Sequence, residues 1–127
     1  MKMEHAEIIE RTQAFVRQTL ENAEGGHDWW HIHRVWINAK HIAANEDADL
    51  LVVELAALLH DIADSKFHNG DEEIGPETAG KFLRELNLDE AIIIHVQQII
   101  RHISFKAGFD TKSFHSKELE IVQDADR

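Results

Sequence analysis

The sequence contains no cysteine among its 127 residues. Disulfide bonds and thiolate metal sites are therefore excluded. Lysine and arginine are also scarce: 13 of them face 24 aspartates and glutamates, which gives a formal net charge of -11. Recognition of a DNA or RNA duplex needs a basic surface, so this charge argues against a nucleic-acid partner. A small anionic substrate is not excluded, because a bound metal ion can reverse the local electrostatic field.

Long apolar runs are missing as well. No run is long enough to span a membrane, and the first residues lack the apolar stretch of a signal peptide. We therefore expect a soluble cytoplasmic protein with no membrane partner. The length suits one domain with one hydrophobic core, so we expect a single domain over residues 1–127, with a helical N-terminal segment (residues 1–25) packed on it.

Strand-like alternation is absent, whereas apolar residues recur at helical spacing in several segments. This pattern predicts an all-α bundle of about six helices. The last pattern stops in mid-helix at Arg127, so we expect the C-terminal part of the domain to be truncated. The predicted helices run approximately over residues 4–24, 28–45, 50–61, 75–87 and 89–101, and from 117 onward.

The segment from Leu50 to Asp61 organises the rest of the chain. It is apolar almost throughout, which is typical of a helix buried in the middle of a domain, and it ends in His60 and Asp61. An imidazole nitrogen beside a carboxylate suits first-row divalent metals, and a core helix holds such ligands rigidly. We therefore interpret His60 and Asp61 as metal ligands. An adjacent His-Asp pair is by itself a weak signal.

Ten histidines are an unusual number for this length, and two of them compete for a role on the second predicted helix. His31 shares a face with Val35 and Ile42, whereas His33 lies roughly 200° around the helix. We favour the His31 face as the inward one because two β-branched aliphatic residues accompany it. A late carboxylate, Asp124 or Asp126, would complete a site made from three helices.

Three motifs occur together in an order that is more specific than any one of them: His31-x-x-Arg34-Val35, Leu58-Leu59-His60-Asp61 and Ala125-Asp126-Arg127. With this order, the chain resembles the HD superfamily of metal-dependent phosphohydrolases from about Gly26 to its end. Two further motifs are Gly26-His27-Asp28-Trp29 and Asp64-x-Lys66-Phe67. These two resemble the small single-domain bacterial branch, which is associated with nucleotide pyrophosphohydrolase activity.

The resemblance implies four metal ligands, His31, His60, Asp61 and Asp126. Asp126 is preferred over Asp124 because the family's aspartate follows an alanine and precedes an arginine or lysine. The implied cofactor is a divalent metal, and Mn, Mg, Co, Ni and Fe all remain candidates. The number of ions is also open.

The chemistry of phosphoanhydride hydrolysis indicates roles for the residues near this centre. Asp61 would have a catalytic role because it is a ligand of the metal. Asp64 would orient the attacking water or accept its proton, and Lys66 would hold the substrate phosphate. A solvated loop is an equally good interpretation of both residues. Arg34 would not bind the metal itself but would pair with the carboxylate of one of the ligands.

Two histidines of the fifth predicted helix, His95 and His102, share a face and have a less certain role. They would bind substrate phosphate, protonate the leaving group or hold a second metal ion. A purely structural role is the competing interpretation for both.

These expectations converge on a metal-dependent phosphohydrolase whose substrate is a nucleoside or deoxynucleoside triphosphate. Two alternatives remain. The first is a di-iron HD-type oxygenase, which would need additional histidine ligands such as His95 and His102. The second is a nucleotide-binding sensor without catalytic activity. The sequence is compatible with a homodimer and does not fix the oligomeric state.

Overall fold

The computed structural model describes residues 3–21, 29–63, 73–104 and 114–126. All regular structure in these ranges is helical, so the predicted all-α class is confirmed. The six helices are α1 (His5–Glu21), α2 (Trp29–Ala43), α3 (Leu50–Leu59), α4 (Ile74–Glu85), α5 (Glu90–Ser104) and α6 (Lys117–Asp126).

Helix α3 lies at the centre of the bundle and contacts α1, α2, α5 and α6. Eight of its ten residues are buried, which explains why its sequence is apolar on every side. It begins at a cap, because the Asp49 carboxylate accepts hydrogen bonds from the N–H groups of Leu51 and Val52 at 3.1 and 3.3 Å. It ends one residue before His60, so the ligand pair follows directly from a fixed element.

Helix α6 runs alongside α3 in the same direction. At the N-terminal end, the Glu118 carboxylate accepts a hydrogen bond from the Asp49 N–H at 2.7 Å, and Lys117 pairs with Glu46 at 3.0 Å. At the C-terminal end, Asp126 faces His60. The acidic connector between α2 and α3 is therefore a docking point for α6 as well as a capping segment.

A buried carboxylate joins α1, α2 and α3. The Glu54 side chain accepts a hydrogen bond from the Trp36 indole N–H at 3.0 Å and contacts the His5 imidazole. Only 4% of Glu54 is exposed, so these partners compensate the loss of hydration that burial imposes. Glu54 is the one charged residue within the apolar run of α3, and this isolated charge is the feature of the sequence that could have indicated a buried polar contact.

Helices α4 and α5 pack against each other, and α5 also packs against α3. They are joined through Asn87, which adopts a left-handed conformation with φ of 60° that asparagine tolerates better than most residues. The sequence places the end of α4 at this residue, whereas the helix itself ends at Glu85. Within the described ranges, no helix has the length and apolarity needed to cross a bilayer.

Candidate metal centre

Three helices bring His31, His60 and Asp126 together. Each residue offers one ligand atom, and these atoms all lie within 4.8 Å of one another. The Asp126 Oδ1 atom is 3.6 Å from His31 Nε2 and 3.4 Å from His60 Nε2. His31 comes from α2, His60 follows α3 directly and Asp126 ends α6, so the cluster forms only when these helices are packed.

The His60 ring is oriented by the backbone. Its Nδ1 lies 2.7 Å from the Ala57 carbonyl, which is an acceptor only, so Nδ1 carries the proton and donates it. In the neutral ring, Nε2 then presents a lone pair toward Asp126. That nitrogen is buried and has no hydrogen-bond partner among the described residues. A buried imidazole nitrogen left in this way, beside a carboxylate and a second imidazole, fits a divalent metal ion.

The electrostatic field of the site favours positive charge. Burial lowers the pKa of His60, but the contact with Asp126 and the charges of Asp61 and Asp126 outweigh it, so the net pKa is raised above 6.5. At 3.4 Å the contact between His60 Nε2 and Asp126 is too long for a good hydrogen bond, so the negative charges of the two carboxylates are the main cause of the raised pKa. A divalent cation would experience the same attraction.

Asp61 lies next to this cluster without being part of it. Its Oδ2 atom is 3.6 Å from His60 Nε2, and 35% of its side chain is exposed. Asp61 sits on the turn after α3, beyond the last helical residue. Asp124, the alternative to Asp126, is exposed and does not belong to the cluster. The geometry therefore favours Asp126 of these two carboxylates.

Arg34 has a different contact from the one that we expected. Its Nη2 atom is 3.4 Å from His31 Nδ1, so the described contact is with a histidine of the cluster and not with a carboxylate. The reason is helical spacing, because residues three apart on α2 share a face. The contact puts an exposed guanidinium at the edge of the candidate centre.

The described contacts of His95 and His102 are with α5 itself and with the residues that lead into α6. His95 Nε2 is 2.9 Å from the Ser116 hydroxyl, and His102 Nδ1 donates to the Gln98 carbonyl at 3.0 Å. Both rings also lie against Phe114, at 5.8 and 5.0 Å between centroids. These contacts join α5 to the beginning of α6, and neither histidine belongs to the ligand cluster.

Two predicted substrate residues, Asp64 and Lys66, lie outside the described residues. One feature near the site was not predicted at all. Arg101 of α5 pairs with Glu73, the residue before α4, with both contacts at 2.7 Å. The two residues are 28 positions apart, and nothing in the local sequence indicates that they meet.

Comparison with known proteins identifies the family of the chain. The family model for the HD domain matches residues 29–127. The chain is 34% identical to YpgQ, an uncharacterized protein of Bacillus subtilis strain 168, over 98% of the chain and 61% of YpgQ.

Solved structures agree in fold. A crystal structure of an HD-superfamily hydrolase from Bacillus thuringiensis is 37% identical, with a TM-score of 0.77 over 97% of this chain and 57% of that one. The crystal structure of Bacillus subtilis YpgQ in complex with ADP is 31% identical, with a TM-score of 0.77 over 98% of this chain and 58% of that one. The chain thus spans about three fifths of the length of these relatives. Since the family model covers most of the sequence, the chain belongs to the HD-domain superfamily.

Proposed function

We propose that the protein is a metal-dependent phosphohydrolase that converts a nucleoside or deoxynucleoside triphosphate to the monophosphate and pyrophosphate. The observation that carries this proposal is the convergence of His31, His60 and Asp126, with the His60 ring already oriented through Ala57. The YpgQ complex with ADP supports a nucleotide as the ligand of a related protein.

The clustered residues would hold the cation through two imidazoles and one carboxylate, and the neighbouring Asp61 would add a second carboxylate. A bound divalent cation supplies Lewis acidity at the phosphoryl group and lowers the pKa of a coordinated water. His60 serves through its Nε2 atom, since Nδ1 is committed to the Ala57 carbonyl. The chain itself contributes orientation of these donors and a buried setting on one side.

The substrate anion requires positive charge, because a chain with a net charge of -11 repels a triphosphate. Arg34 is the described side chain that offers such charge at the edge of the centre. When His31 Nε2 binds a cation, its Nδ1 bears the proton, and two donors then face each other at the Arg34 contact. We therefore expect the guanidinium to turn away from His31 and contact a substrate phosphate.

The remaining roles belong to residues whose contacts are not described. Asp64 would accept the proton of the attacking water, and Lys66 would hold a phosphate.

His95 and His102 are assigned to the packing of α5 against Phe114 and Ser116, because those are their described contacts. A di-iron centre that used these two histidines finds no support in their positions, since neither joins the ligand cluster.

The test uses metal-stripped protein reloaded with Mn, Mg, Co or Fe in turn. A panel of nucleoside triphosphates is incubated with each form, and the products are separated by chromatography. We expect monophosphate and pyrophosphate, with activity lost in His60→Ala and Asp61→Ala and kept in His41→Ala, which alters an exposed histidine of α2. Release of orthophosphate or free nucleoside would contradict the bond assignment. Metal binding without turnover of any nucleotide would favour the sensor.

A further inference from the structure

The turn that carries Asp61 lies beyond the regular part of α3. His60 is fixed by burial and by the Ala57 carbonyl, but Asp61 keeps a partly exposed side chain. Ile62 is buried and its N–H donates to the Leu59 carbonyl at 3.1 Å, which continues the turn for one more residue. Ala63, two residues after Asp61, continues this turn, so contacts that hold Ala63 also restrain the turn that carries Asp61.

The first turn of α4 packs against Ala63. A Cβ atom added to Gly75 would lie 3.4 Å from the Ala63 carbonyl oxygen and 3.6 Å from the Ile100 side chain. Since these are contact distances for a methyl group, the glycine backbone itself lies close to both. The turn after Asp61 and helix α5 thus both lie close to Gly75.

The same turn of α4 is held from α5 by Arg101. Its Nε and Nη2 atoms donate to the two Glu73 oxygens at 2.7 Å each, and its Nη1 donates to the Gln98 amide oxygen at 2.9 Å. Glu73 occupies the capping position of α4, but its side chain makes no capping hydrogen bond. The carboxylate is directed to α5 instead, and Arg101 lowers the pKa of Glu73 below its usual value.

A second side chain of α5 supports this contact. The Gln97 amide N–H donates to the Pro76 carbonyl at 3.0 Å, one residue after Gly75. Gly80 makes room for it, because a Cβ at that position would lie only 2.2 Å from the Gln97 amide nitrogen. The first turn of α4 is therefore held at Glu73 and at Pro76 by two residues of α5.

We propose that Arg101 is a positioning residue of the metal centre, which acts through Glu73 and the first turn of α4 to hold Ala63 and thereby the Asp61 carboxylate. The inference rests on the proposed function, because it assumes that Asp61 helps to bind the metal. Arg101 contacts neither substrate nor metal in this role. It corresponds to the outer contacts that orient ligands at many metal sites.

The chain contains a matched control. Arg84 and Glu90 form the same two-pronged ion pair, at 3.0 and 2.9 Å, between α4 and the first turn of α5. That pair is exposed, with half or more of each side chain accessible to solvent. Loss of an arginine at either position removes the same charge, but only Arg101 is connected to the turn after Asp61.

The experiment measures Mn²⁺ affinity by the electron paramagnetic resonance signal of free Mn²⁺, with wild-type protein, Arg101→Gln, Arg101→Lys and Arg84→Gln. Melting temperatures of the metal-free proteins establish that each variant is folded at the assay temperature. We expect Arg101→Gln to weaken Mn²⁺ binding by about tenfold, as loss of an outer contact commonly does. Arg101→Lys keeps the charge without the fork, so its loss should be smaller. Arg84→Gln should bind as wild type does.

A second variant separates a positioning effect from a general loss of stability. In an Asp61→Asn background, Arg101→Gln should have little further effect on Mn²⁺ affinity, because the ligand that it positions has already been altered. Two results would overturn the positioning role but leave the proposed function standing. One is a double variant whose loss of Mn²⁺ affinity equals the product of the losses in the two single variants. The other is a folded Arg101→Gln with wild-type affinity. If Arg101→Gln does not fold, Glu73→Gln is measured in the same way, with the same outcomes. Absence of Mn²⁺ binding in the wild type would instead overturn the proposed metal centre.

Discussion

At the scale of single residues, His60 determines how the candidate centre responds to pH. Its Nδ1 atom is committed to the Ala57 carbonyl, so a proton and a metal ion compete for Nε2 alone. The carboxylates of Asp61 and Asp126 attract either cation, and this attraction more than offsets the effect of burial on the pKa of His60. In the candidate centre, the atom that binds the proton is therefore the same atom that would coordinate a metal ion.

We predict that Mn²⁺ affinity falls as the pH is lowered through the raised pKa of His60, so that the loss begins above pH 6.5. Dissociation constants measured by isothermal titration calorimetry between about pH 5.5 and 8.5 would test this, since His60 has a reference pKa near 6.5. The control is His41→Gln, which replaces an exposed histidine and should give the wild-type profile. An affinity that is flat across this range would contradict the prediction.

The metal-free protein should show the opposite sign. A histidine whose folded-state pKa lies above its unfolded value stabilises the fold fully below about pH 6.5. This contribution is lost as the pH rises through the folded-state pKa of His60. Urea unfolding of the metal-free chain at several pH values would detect the trend, and it should disappear in His60→Gln.

At the scale of helices, the parallel packing of α3 and α6 depends on Asp49. Its carboxylate caps α3, while its own N–H donates to Glu118 of α6. The cap satisfies backbone N–H groups that the first turn of a helix leaves without internal partners. One residue thus fixes the beginning of the central helix and contacts the helix that carries Asp126.

We predict that Asp49→Ala lowers the free energy of unfolding by about 1 kcal/mol, because it removes the cap of α3. Asp47→Ala, two residues earlier in the exposed connector, should change it by less than about 0.5 kcal/mol. Chemical denaturation of both variants would provide the comparison. Equal effects would indicate that the loss of negative charge, and not the cap, determines the result.

Element boundaries show how far the sequence could predict the fold. Apolar periodicity indicates all six helices because each buries one face, and α3 buries nearly all of its residues. The ends are less accurate: α5 continues to Ser104, three residues past the predicted Arg101. A helix end is determined by tertiary contacts as well as by caps, and those contacts are not visible in a local pattern.

In the candidate site, too, some features could be predicted from the sequence and others depend on tertiary contacts. The resemblance to the HD superfamily implied four ligands, and the fold brings three of them together, His31, His60 and Asp126. The fourth, Asp61, lies beside this cluster. The Glu73–Arg101 ion pair could not be predicted, because two charged residues 28 positions apart have no local signature. Burial of Glu54 was detectable in principle as a single charge within an apolar helix.

At the scale of the whole molecule, the candidate centre joins three helices that are otherwise held by apolar packing and by polar contacts such as Trp36–Glu54 and Asp49–Glu118. A ligand that binds only the folded chain stabilises it, by about 2.7 kcal/mol at a concentration of 100 times its dissociation constant. His31 and Asp126 come from different helices, so a bound metal would resist their separation. The metal should therefore raise the melting temperature.

We predict a rise of several degrees in melting temperature when Mn²⁺ is added at saturating concentration, as expected from that free energy for a domain of this size. The rise should be lost in Asp126→Ala and retained in Asp124→Ala, which removes an exposed carboxylate from the same helix. Differential scanning calorimetry with and without Mn²⁺ would measure both. A rise that survives in Asp126→Ala would assign the metal to other ligands.

The distribution of the three clustered ligands along the chain also determines when the centre can form during synthesis. His31 and His60 are made first, and Asp126 follows 66 residues after His60, by subtraction of their positions. When α3 has emerged from the ribosome and α6 has not, the growing chain presents the two histidines and Asp61. It still lacks Asp126, whose carboxylate faces both rings. The candidate site is therefore incomplete until α6 has emerged from the ribosome, and we expect a metal ion to bind only after that helix has docked.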